Sequence, residues 1–390
     1  MNGAILNKEV QDFIREKQDE NPSLIALAKS PFPDVTSREL AEQIDSRKRC
    51  ERKLPLWFNT PEIYYPPKLG LEQASSEQTA LFKASLVTGK TMIDLTGGFG
   101  VDDYYFSKKF EKVIHCERNE ELSAIAKHNA VALKADNLEF INSANSLERF
   151  SQINGRFDVV YIDPSRRVKS QKVFKLADCE PDVPSNFDLL LDKSEKIIIK
   201  TSPLLDIQAG LKELRHVSQV YVISIKNDCK ELLWIIDKTF NKEAEIIAVA
   251  LADTPNSFSF HISKEKAAIL SGYTKPGDYL YDPDVALLKA GAFKSIAIHY
   301  QLQKLDQHTH IYTSNKLDET FIGRIFKVEE VIDYKNFTKS VTRANVIARN
   351  FPASVDELKK KFRITDGGSE YLYFTTAQSR HVIIRASRIK

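Results

Sequence analysis

The chain has 390 residues, of which 42% are hydrophobic and 28% charged, and this composition excludes collagen, coiled-coil rods, disordered chains and disulfide scaffolds. We expect neither a membrane helix nor a signal peptide, because no apolar run approaches the roughly 20 residues of a span and the start lacks a basic cluster before an apolar core. The four cysteines are far apart and form no CxxC pair, so we expect a reduced, cytoplasmic protein without a zinc or redox motif.

The net charge of +3 is unevenly distributed. Residues 256–390 carry 21 Lys and Arg against 14 Asp and Glu, a net of +7, whereas the remainder carries 35 against 39, a net of −4. A basic C-terminal third favours a surface that binds polyanions. An ordinary solvated surface would have the same composition, so charge alone does not decide.

The first predicted elements are short helices. Apolar residues at helical spacing predict a helix over 7–17, and a cap at Thr36 predicts another after it. Between Leu54 and Lys68, four prolines exclude a continuous helix, and aromatic residues lie among them. We interpret this stretch as a connector packed by its aromatics, with a flap over a site as the alternative.

From Ser76 onward, helices and strands alternate. Helices are predicted over 76–87, 101–110, 119–133 and 206–217, and strands over 91–95, 112–116, 137–142, 157–162, 196–200, 220–225 and 232–237. Apolar strands that alternate with amphipathic helices indicate a doubly wound, mostly parallel α/β sheet.

The pattern changes after Pro255. A short helix is predicted from Asp282 to Gly291, with Pro283 in its first turn and the glycine after its last. A second helix over 354–362 and strands over 371–376 and 381–386 complete an α+β region.

The strongest motif is Asp94-Leu95-Thr96-Gly97-Gly98-Phe99-Gly100, which follows the first strand and opens a helix. Glycines there allow a backbone to approach a ligand closely, and ligands of doubly wound sheets bind at this edge. Glu117 ends the second strand, 17 residues after Gly100, where an acid is placed to accept hydrogen bonds from both ribose hydroxyls of a nucleoside.

The same motif argues against a dinucleotide enzyme. The NAD fingerprint requires a third glycine, and Asp103 stands at that position. A ligand with an amino acid tail instead of a pyrophosphate suits the turn better. There is also no Walker A sequence, and the eight histidines show no spacing typical of a metal site.

The third motif is Asp163-Pro164-Ser165-Arg166-Arg167, directly after the fourth strand. With the glycine motif and the acid of strand two, it resembles the class I (Rossmann-like) S-adenosylmethionine-dependent methyltransferases. The resemblance covers about residues 73–237. It implies a methyltransferase whose cofactor is S-adenosyl-L-methionine.

The resemblance also implies roles for individual residues. The methionine part of the cofactor would lie on Asp94, Thr96, Gly97, Gly98 and Gly100. Glu117 would hold the ribose, and Asn142 or Asn145 would replace the acid or amide that usually meets the adenine.

Asp163 and Pro164 would form the catalytic motif, while Arg166, Arg167 and Lys200 would bind the substrate. Three positions depart from the family pattern: Ala144 replaces an acid, Ser165 a proline and Arg166 an aromatic residue. These departures leave the acceptor, and activity itself, open.

A second resemblance lies at the C-terminus. Arg349-Asn350-Phe351-Pro352, Lys359-Lys360-Lys361-Phe362 and Asp366-Gly367-Gly368 are similar to the THUMP-like domain of some bacterial methyltransferases. THUMP domains bind RNA, so the resemblance implies RNA modification. We therefore predict a helical region with its connector (1–72), a Rossmann-like methyltransferase domain (73–255), a small α+β, ferredoxin-like domain (256–315) and a THUMP-like domain (316–390).

The sequence thus predicts a cytoplasmic methyltransferase that acts on RNA, without metal or membrane contact. Two alternatives stay open. One is a methyltransferase for a small molecule or a protein, and the other is a catalytically silent nucleic-acid-binding protein. The sequence does not indicate the oligomeric state.

Overall fold

A computed structural model describes residues 1–166, 175–252, 254–338 and 343–390. The chain forms two compact units, Met1–Val217 with Trp234–Asn241, and Ser218–Leu233 with Lys242–Lys390. None of the helices in the described ranges is long and apolar enough to cross a membrane. Within the same ranges, no group of three or more His, Cys, Asp or Glu side chains is arranged to hold a metal ion.

The first unit begins with helices and continues as an alternating α/β fold. Its helices are α1 (Lys8–Glu16), α2 (Pro22–Leu27), α3 (Ser37–Lys53), α4 (Pro55–Asn59), α5 (Lys68–Gln73), α6 (Glu77–Ser85), α7 (Val101–Phe106), α8 (Glu120–Ala132), α9 (Ser146–Gln152), α10 (Phe187–Lys193) and α11 (Ile207–Glu213). Its strands are β1 (Gly89–Asp94), β2 (Phe110–Glu117), β3 (Leu138–Asn142), β4 (Phe157–Ile162), the short pair β5 (Ser165–Arg166) and β6 (Cys179–Glu180), and β7 (Ser194–Thr201).

Five strands of this unit lie in the order β7-β4-β1-β2-β3 and pair in parallel. Ile93 of β1, Val160 of β4 and Ile198 of β7 lie in three neighbouring strands and are fully buried. Strands buried on both faces are the expected result of helices that connect parallel neighbours. The carboxyl ends of β1, β2, β4 and β7 therefore lie along one edge.

The second unit is α+β. Its helices are α12 (Ile262–Ala267), α13 (Val285–Ala290), α14 (Ser295–His299) and α15 (Val355–Phe362). Its strands are β8 (Val217–Ile225), β9 (Asp228–Asp237), β10 (Glu245–Leu251), β11 (Asn256–His261), β12 (Tyr279–Pro283), β13 (Gln303–Lys304), β14 (Tyr312–Ser314), β15 (Gly323–Asp333), β16 (Asn345–Arg349), β17 (Glu370–Ala377) and β18 (Arg380–Arg388).

Two sheets contribute to this unit. Strands β11-β10-β8-β9 lie side by side, and β9 begins in the second unit and ends in the first. The other sheet has the order β13-β14-β12-β15-β18-β17-β16. It covers two buried clusters, one around Phe374 and Ile383 and one around Phe326 and Tyr373.

Several predicted helix starts are confirmed by their caps. Thr36 and Ser354 both form capping boxes with a glutamate three residues later. Such reciprocal hydrogen bonds satisfy amides that the first turn leaves unpaired.

Two predictions of local structure are wrong. Pro283 ends β12 instead of lying in the first turn of α13, because the cap is Asp284, whose side chain accepts from Ala286 N–H. Asp282 is a strand residue that pairs with Arg324 of β15. The prediction also lacked α9, whose cap is Asn145.

Candidate active site

The glycine turn, residues 94–100, joins β1 to α7 and is held on both sides. Gly97 N–H donates to Cys116 O of β2 at 2.8 Å, and Leu95 N–H donates to Tyr161 O of β4 at 3.0 Å. A Cβ on Gly97 would lie 2.2 Å from Nδ1 of His115, so no larger residue fits there. Gly100 caps α7 with φ 78°, a left-handed conformation that favours glycine. The turn therefore requires its glycines for both packing and backbone conformation.

Asp94 stabilises the glycine turn through hydrogen bonds to Thr96. It is buried, and its Oδ1 accepts from Thr96 N–H at 2.7 Å and from the Thr96 hydroxyl at 2.9 Å. Burial raises the pKa of Asp94 well above its usual value, and the carboxyl of Asp103 adds to the effect. The Thr96 hydroxyl oxygen in turn accepts from Asp163 N–H at 2.7 Å, which links the end of β1 to the end of β4.

Beneath the turn, His115 and Asp103 form a fully buried pair, with Nδ1 and Oδ2 2.7 Å apart. Burial lowers the pKa of His115 and raises that of Asp103. Both shifts favour the uncharged form of each side chain. This finding explains why Asp103 occupies the position of the third glycine of a dinucleotide fold.

Glu117 ends β2 beside the turn and is partly exposed. Its Oε2 accepts from Gly98 N–H at 2.9 Å, and its Oε1 accepts from Asn119 N–H at 2.8 Å. Each oxygen of a carboxylate has a second lone pair. The carboxylate is thus fixed in place by the backbone and still has acceptor capacity for hydroxyl groups.

The loop after β3 carries amides instead of an acid. The Asn142 side chain donates to Glu117 O at 2.9 Å. The side chain of Asn145, the residue predicted near adenine, caps α9 by accepting from Glu148 N–H at 3.2 Å. The structure therefore gives Asn145 a local role in starting a helix.

Asp163 lies just beyond the end of β4, and Pro164 beside it is buried. Ile162 is in register with Ile199 of β7, which places the next residues, Asp163 and Lys200, side by side. Lys200 Nζ lies 2.5 Å from Oδ2 of Asp163. The Asp163 side chain is 35% exposed and that of Lys200 11%, so the carboxylate remains open to a ligand.

Of the two predicted arginines, the backbone of Arg166 lies in β5 and pairs with Cys179. Arg167 lies outside the described residues.

Sequence reasoning missed a buried polar network next to this edge. Asp102 Oδ2 accepts from the hydroxyls of Ser75 and Tyr161, both at 2.8 Å, and its Oδ1 lies 3.1 Å from Nζ of the fully buried Lys83. Burial opposes ionisation of Asp102, yet Lys83 and Lys200, together with these hydroxyls, hold its pKa below the usual value. The available signal was Lys83 itself, a cation between Ala80 and Ala84 on a helix face.

A cavity lined by Thr88, Lys109, Asp158 and Glu195 lies at the opposite ends of β1 and β4. It contains none of the residues described above.

Comparison with known proteins shows which families and structures the chain is similar to. A ferredoxin-like domain family matches residues 279–321, and a THUMP domain-like family matches residues 323–388. An uncharacterised S-adenosylmethionine-dependent methyltransferase of Mycobacterium tuberculosis, from strains CDC 1551 and H37Rv, is 21% identical over 308 residues, which are 75% of this chain and 79% of that protein. The crystal structure of a candidate methyltransferase from Porphyromonas gingivalis W83 is 30% identical, with a TM-score of 0.87 over 99% of this chain and 98% of that chain.

The chain belongs to this family of S-adenosylmethionine-dependent methyltransferases. The predictions of a Rossmann-like methyltransferase core, of S-adenosyl-L-methionine as cofactor and of a THUMP-like C-terminal region are confirmed. In this methyltransferase, the glycine turn, Glu117 and Asp163 meet at one edge of the sheet. The spare acceptor capacity of Glu117 beside the glycine turn fits the ribose of a nucleoside.

Proposed function

We propose that this methyltransferase acts on RNA. The observation that carries the proposal is the match of residues 323–388 to THUMP-like domains, because THUMP domains bind RNA. Charge supports it as well, since residues 341–390 contain ten Lys and Arg against four Asp and Glu. Clustered cations bind phosphates and release counterions.

In this proposal the glycine turn and Glu117 hold the cofactor. When bound, S-adenosyl-L-methionine supplies an electrophilic methyl group on a sulfonium. The backbone at Gly97 and Gly98 provides the close approach, and Asp94 keeps the turn in shape through Thr96. Glu117 accepts hydrogen bonds from the ribose hydroxyls. Asn142 and Asn145 are the amides available near the adenine.

Asp163 orients the acceptor or takes its proton. Its amide donates to the Thr96 hydroxyl of the glycine turn and its carboxylate pairs with Lys200 of β7, so these two contacts fix its position. Orientation of the reacting groups and exclusion of water account for a large share of such a barrier. Pro164 shapes the slot, and Arg166 and Arg167 bind a substrate phosphate.

The test is methyl transfer from radiolabelled S-adenosyl-L-methionine to three fractions from bacterial cells: total RNA, protein and small molecules. Label in RNA that nuclease releases supports the proposal. Label only in protein or small molecules, or binding of RNA without any transfer, overturns it in favour of one of the two alternatives.

Asp163→Asn should abolish the transfer, and Asp136→Asn, an exposed carboxylate of the same unit, is the control.

A further inference from the structure

A buried carboxylate gathers side chains from three other strands of the seven-stranded sheet. Asp282 of β12 is fully buried and accepts from the Tyr373 hydroxyl of β17 at 3.0 Å. Arg324 of β15, its register partner, forms a short ion pair with it. Arg349, at the end of β16, brings Nη2 to 3.8 Å from the other oxygen. Asp282 therefore holds the Arg324 guanidinium directly. The Arg349 guanidinium lies within ion-pair distance of Oδ1, which has no hydrogen-bond partner among the described residues.

The two guanidinium groups carry more positive charge than the carboxylate of Asp282 can neutralise. Two arginines face one carboxylate, and burial raises the pKa of Tyr373, so its hydroxyl adds no negative charge. Nε of Arg324 and Nε of Arg349 are buried without a hydrogen-bond partner among the described residues. The side chains of Arg324 and Arg349 are nevertheless 25% and 40% exposed, so both are partly accessible from solvent. The cluster has unused donors and a net positive charge.

Further polar groups lie near Arg349. The His310 ring stacks on Phe293 with centroids 3.8 Å apart, and its Nδ1 is buried and unpartnered within the described part of the chain. Burial, together with the positive charges of Lys304, His308 and Arg349, lowers the pKa of His310 to about 4. The imidazole is therefore neutral at pH 7. The negative charge of Glu265 acts in the opposite direction and raises the pKa of His310. That carboxylate accepts hydrogen bonds from Lys294 N–H and Ser295 N–H, both at 2.8 Å.

We propose that Arg324 and Arg349 form a subsite for a phosphate group of the bound RNA, oriented by Asp282. This inference rests on the proposed RNA substrate. Guanidinium groups bind phosphate oxygens through pairs of parallel N–H donors, and a fixed orientation strengthens such binding. A lysine carries the same charge but lacks the planar pair of parallel N–H donors.

The alternative is a purely structural ion-pair network, and the same sheet contains one for comparison. Arg385 of β18 donates through Nε to Glu370 at 2.7 Å and through Nη1 to Glu330 at 2.9 Å. Its side chain is 32% exposed, between the values for Arg324 and Arg349. Because two carboxylates occupy its donors, Arg385 is the matched control.

The experiment uses the full chain and three variants, Arg349→Gln, Arg349→Lys and Arg385→Gln. Filter binding of a structured RNA is measured at several salt concentrations, and stabilisation by inorganic pyrophosphate is measured by thermal melting. We expect Arg349→Gln to weaken RNA binding about tenfold and to reduce the slope of log affinity against log salt by about one. Arg349→Lys should keep the slope but lose affinity, and Arg385→Gln should bind like the parent protein.

Three outcomes separate the possibilities. The subsite is overturned if Arg349→Gln binds RNA and pyrophosphate as well as the parent protein does. It is also overturned if Arg349→Gln and Arg385→Gln lose the same amount of RNA affinity. Stabilisation by pyrophosphate that depends on Arg349, without RNA binding or methylation, retains a phosphate site and overturns the RNA substrate. Melting temperatures without ligand show whether each variant is folded, and Arg349→Lys keeps the test valid if the glutamine variant is not.

Discussion

At the scale of single residues, the two carboxylates at the sheet edge have different partners. Glu117 is held by backbone N–H groups of Gly98 and Asn119, whereas Asp163 is held by the ammonium group of Lys200. A carboxylate fixed by amides keeps acceptor capacity for neutral hydroxyls. One paired with an ammonium group is fixed in position and remains partly exposed. These surroundings suit the binding of a ribose and the orientation of an acceptor, respectively.

We expect Glu117→Ala to lose most of its affinity for S-adenosyl-L-methionine, because two hydrogen bonds to the ribose disappear. Binding at a hundredfold excess over Kd stabilises a protein by about 2.7 kcal/mol. Thermal melting with the cofactor should show this gain in the parent protein and little of it in the variant. Glu111→Ala, an exposed position near the start of the same strand, is the control. If S-adenosyl-L-methionine stabilised both variants equally, Glu117 would not bind the ribose.

For Asp163→Asn we expect nearly unchanged cofactor affinity and a kcat lowered by about 10² or more, as when a positioned proton acceptor is lost. The asparagine keeps the size of the side chain, so the backbone bond to Thr96 persists. Single-turnover methyl transfer at saturating cofactor measures the effect. An unchanged rate would show that Asp163 takes no part in the reaction.

At the scale of elements, the glycine turn and the ends of β1, β2 and β4 form one hydrogen-bonded assembly. Gly97 packs directly on the buried His115, and Tyr161 of β4 donates to Asp102 of α7. The geometry of this sheet edge therefore depends on buried side chains that pack against the glycine turn and α7.

Gly97→Ala should destabilise the fold by about 1–3 kcal/mol, a typical cost of overpacking a buried site. The new methyl group would overlap the imidazole of His115, which its bond to Asp103 holds in place. Chemical denaturation measures the loss. Gly3→Ala, where a Cβ meets nothing within 4 Å, should be neutral. Equal stability of the two variants would contradict the packing described here.

Lys83→Met should cost about 3–5 kcal/mol, because it leaves the carboxylate of Asp102 buried without its cation. The double variant Lys83→Met with Asp102→Asn should recover part of this loss, since no charge is then stranded. Denaturation of both single variants and the double variant gives the coupling energy. Additive effects would show that the two side chains do not interact.

The sequence predicted the elements that carry strong local signals. The nine predicted strands and the capped helices α3, α8 and α15 were predicted correctly because periodicity and capping act over a few residues. The ion pair of Asp163 with Lys200 was not found, although both residues were singled out, because it depends on the register of β4 and β7. Lys83 was overlooked for a related reason, since its partner Asp102 is brought to it only by tertiary packing.

At the scale of the whole molecule, the C-terminal aromatics divide into core and partly exposed side chains. Phe362, Tyr373 and Phe374 are buried in the core of the second unit. Phe351 and Tyr371 pack against the same clusters and are partly buried. Charge is therefore the main property that this region offers to a nucleic acid.

Replacement of Lys359, Lys360 and Lys361 with Gln should lower the affinity for RNAs of different sequence by similar factors. It should also reduce the slope of log affinity against log salt concentration. Lys359 already pairs with Asp366 and Lys361 donates to Tyr334, so we expect most of the effect from the exposed Lys360. Filter binding against salt concentration measures it. The control replaces three exposed lysines of the first unit, Lys29, Lys90 and Lys134, with Gln. Identical curves for both variants would exclude a specific contribution of these lysines.

The buried pair of Lys83 and Asp102 also constrains how this enzyme can diverge. A lineage that loses either charge alone would carry a buried ion without its partner, at a cost comparable to a large part of a typical folding free energy. Apolar residues at both positions would avoid that penalty. Relatives should therefore retain both charges or neither, so that the two positions covary across descendants.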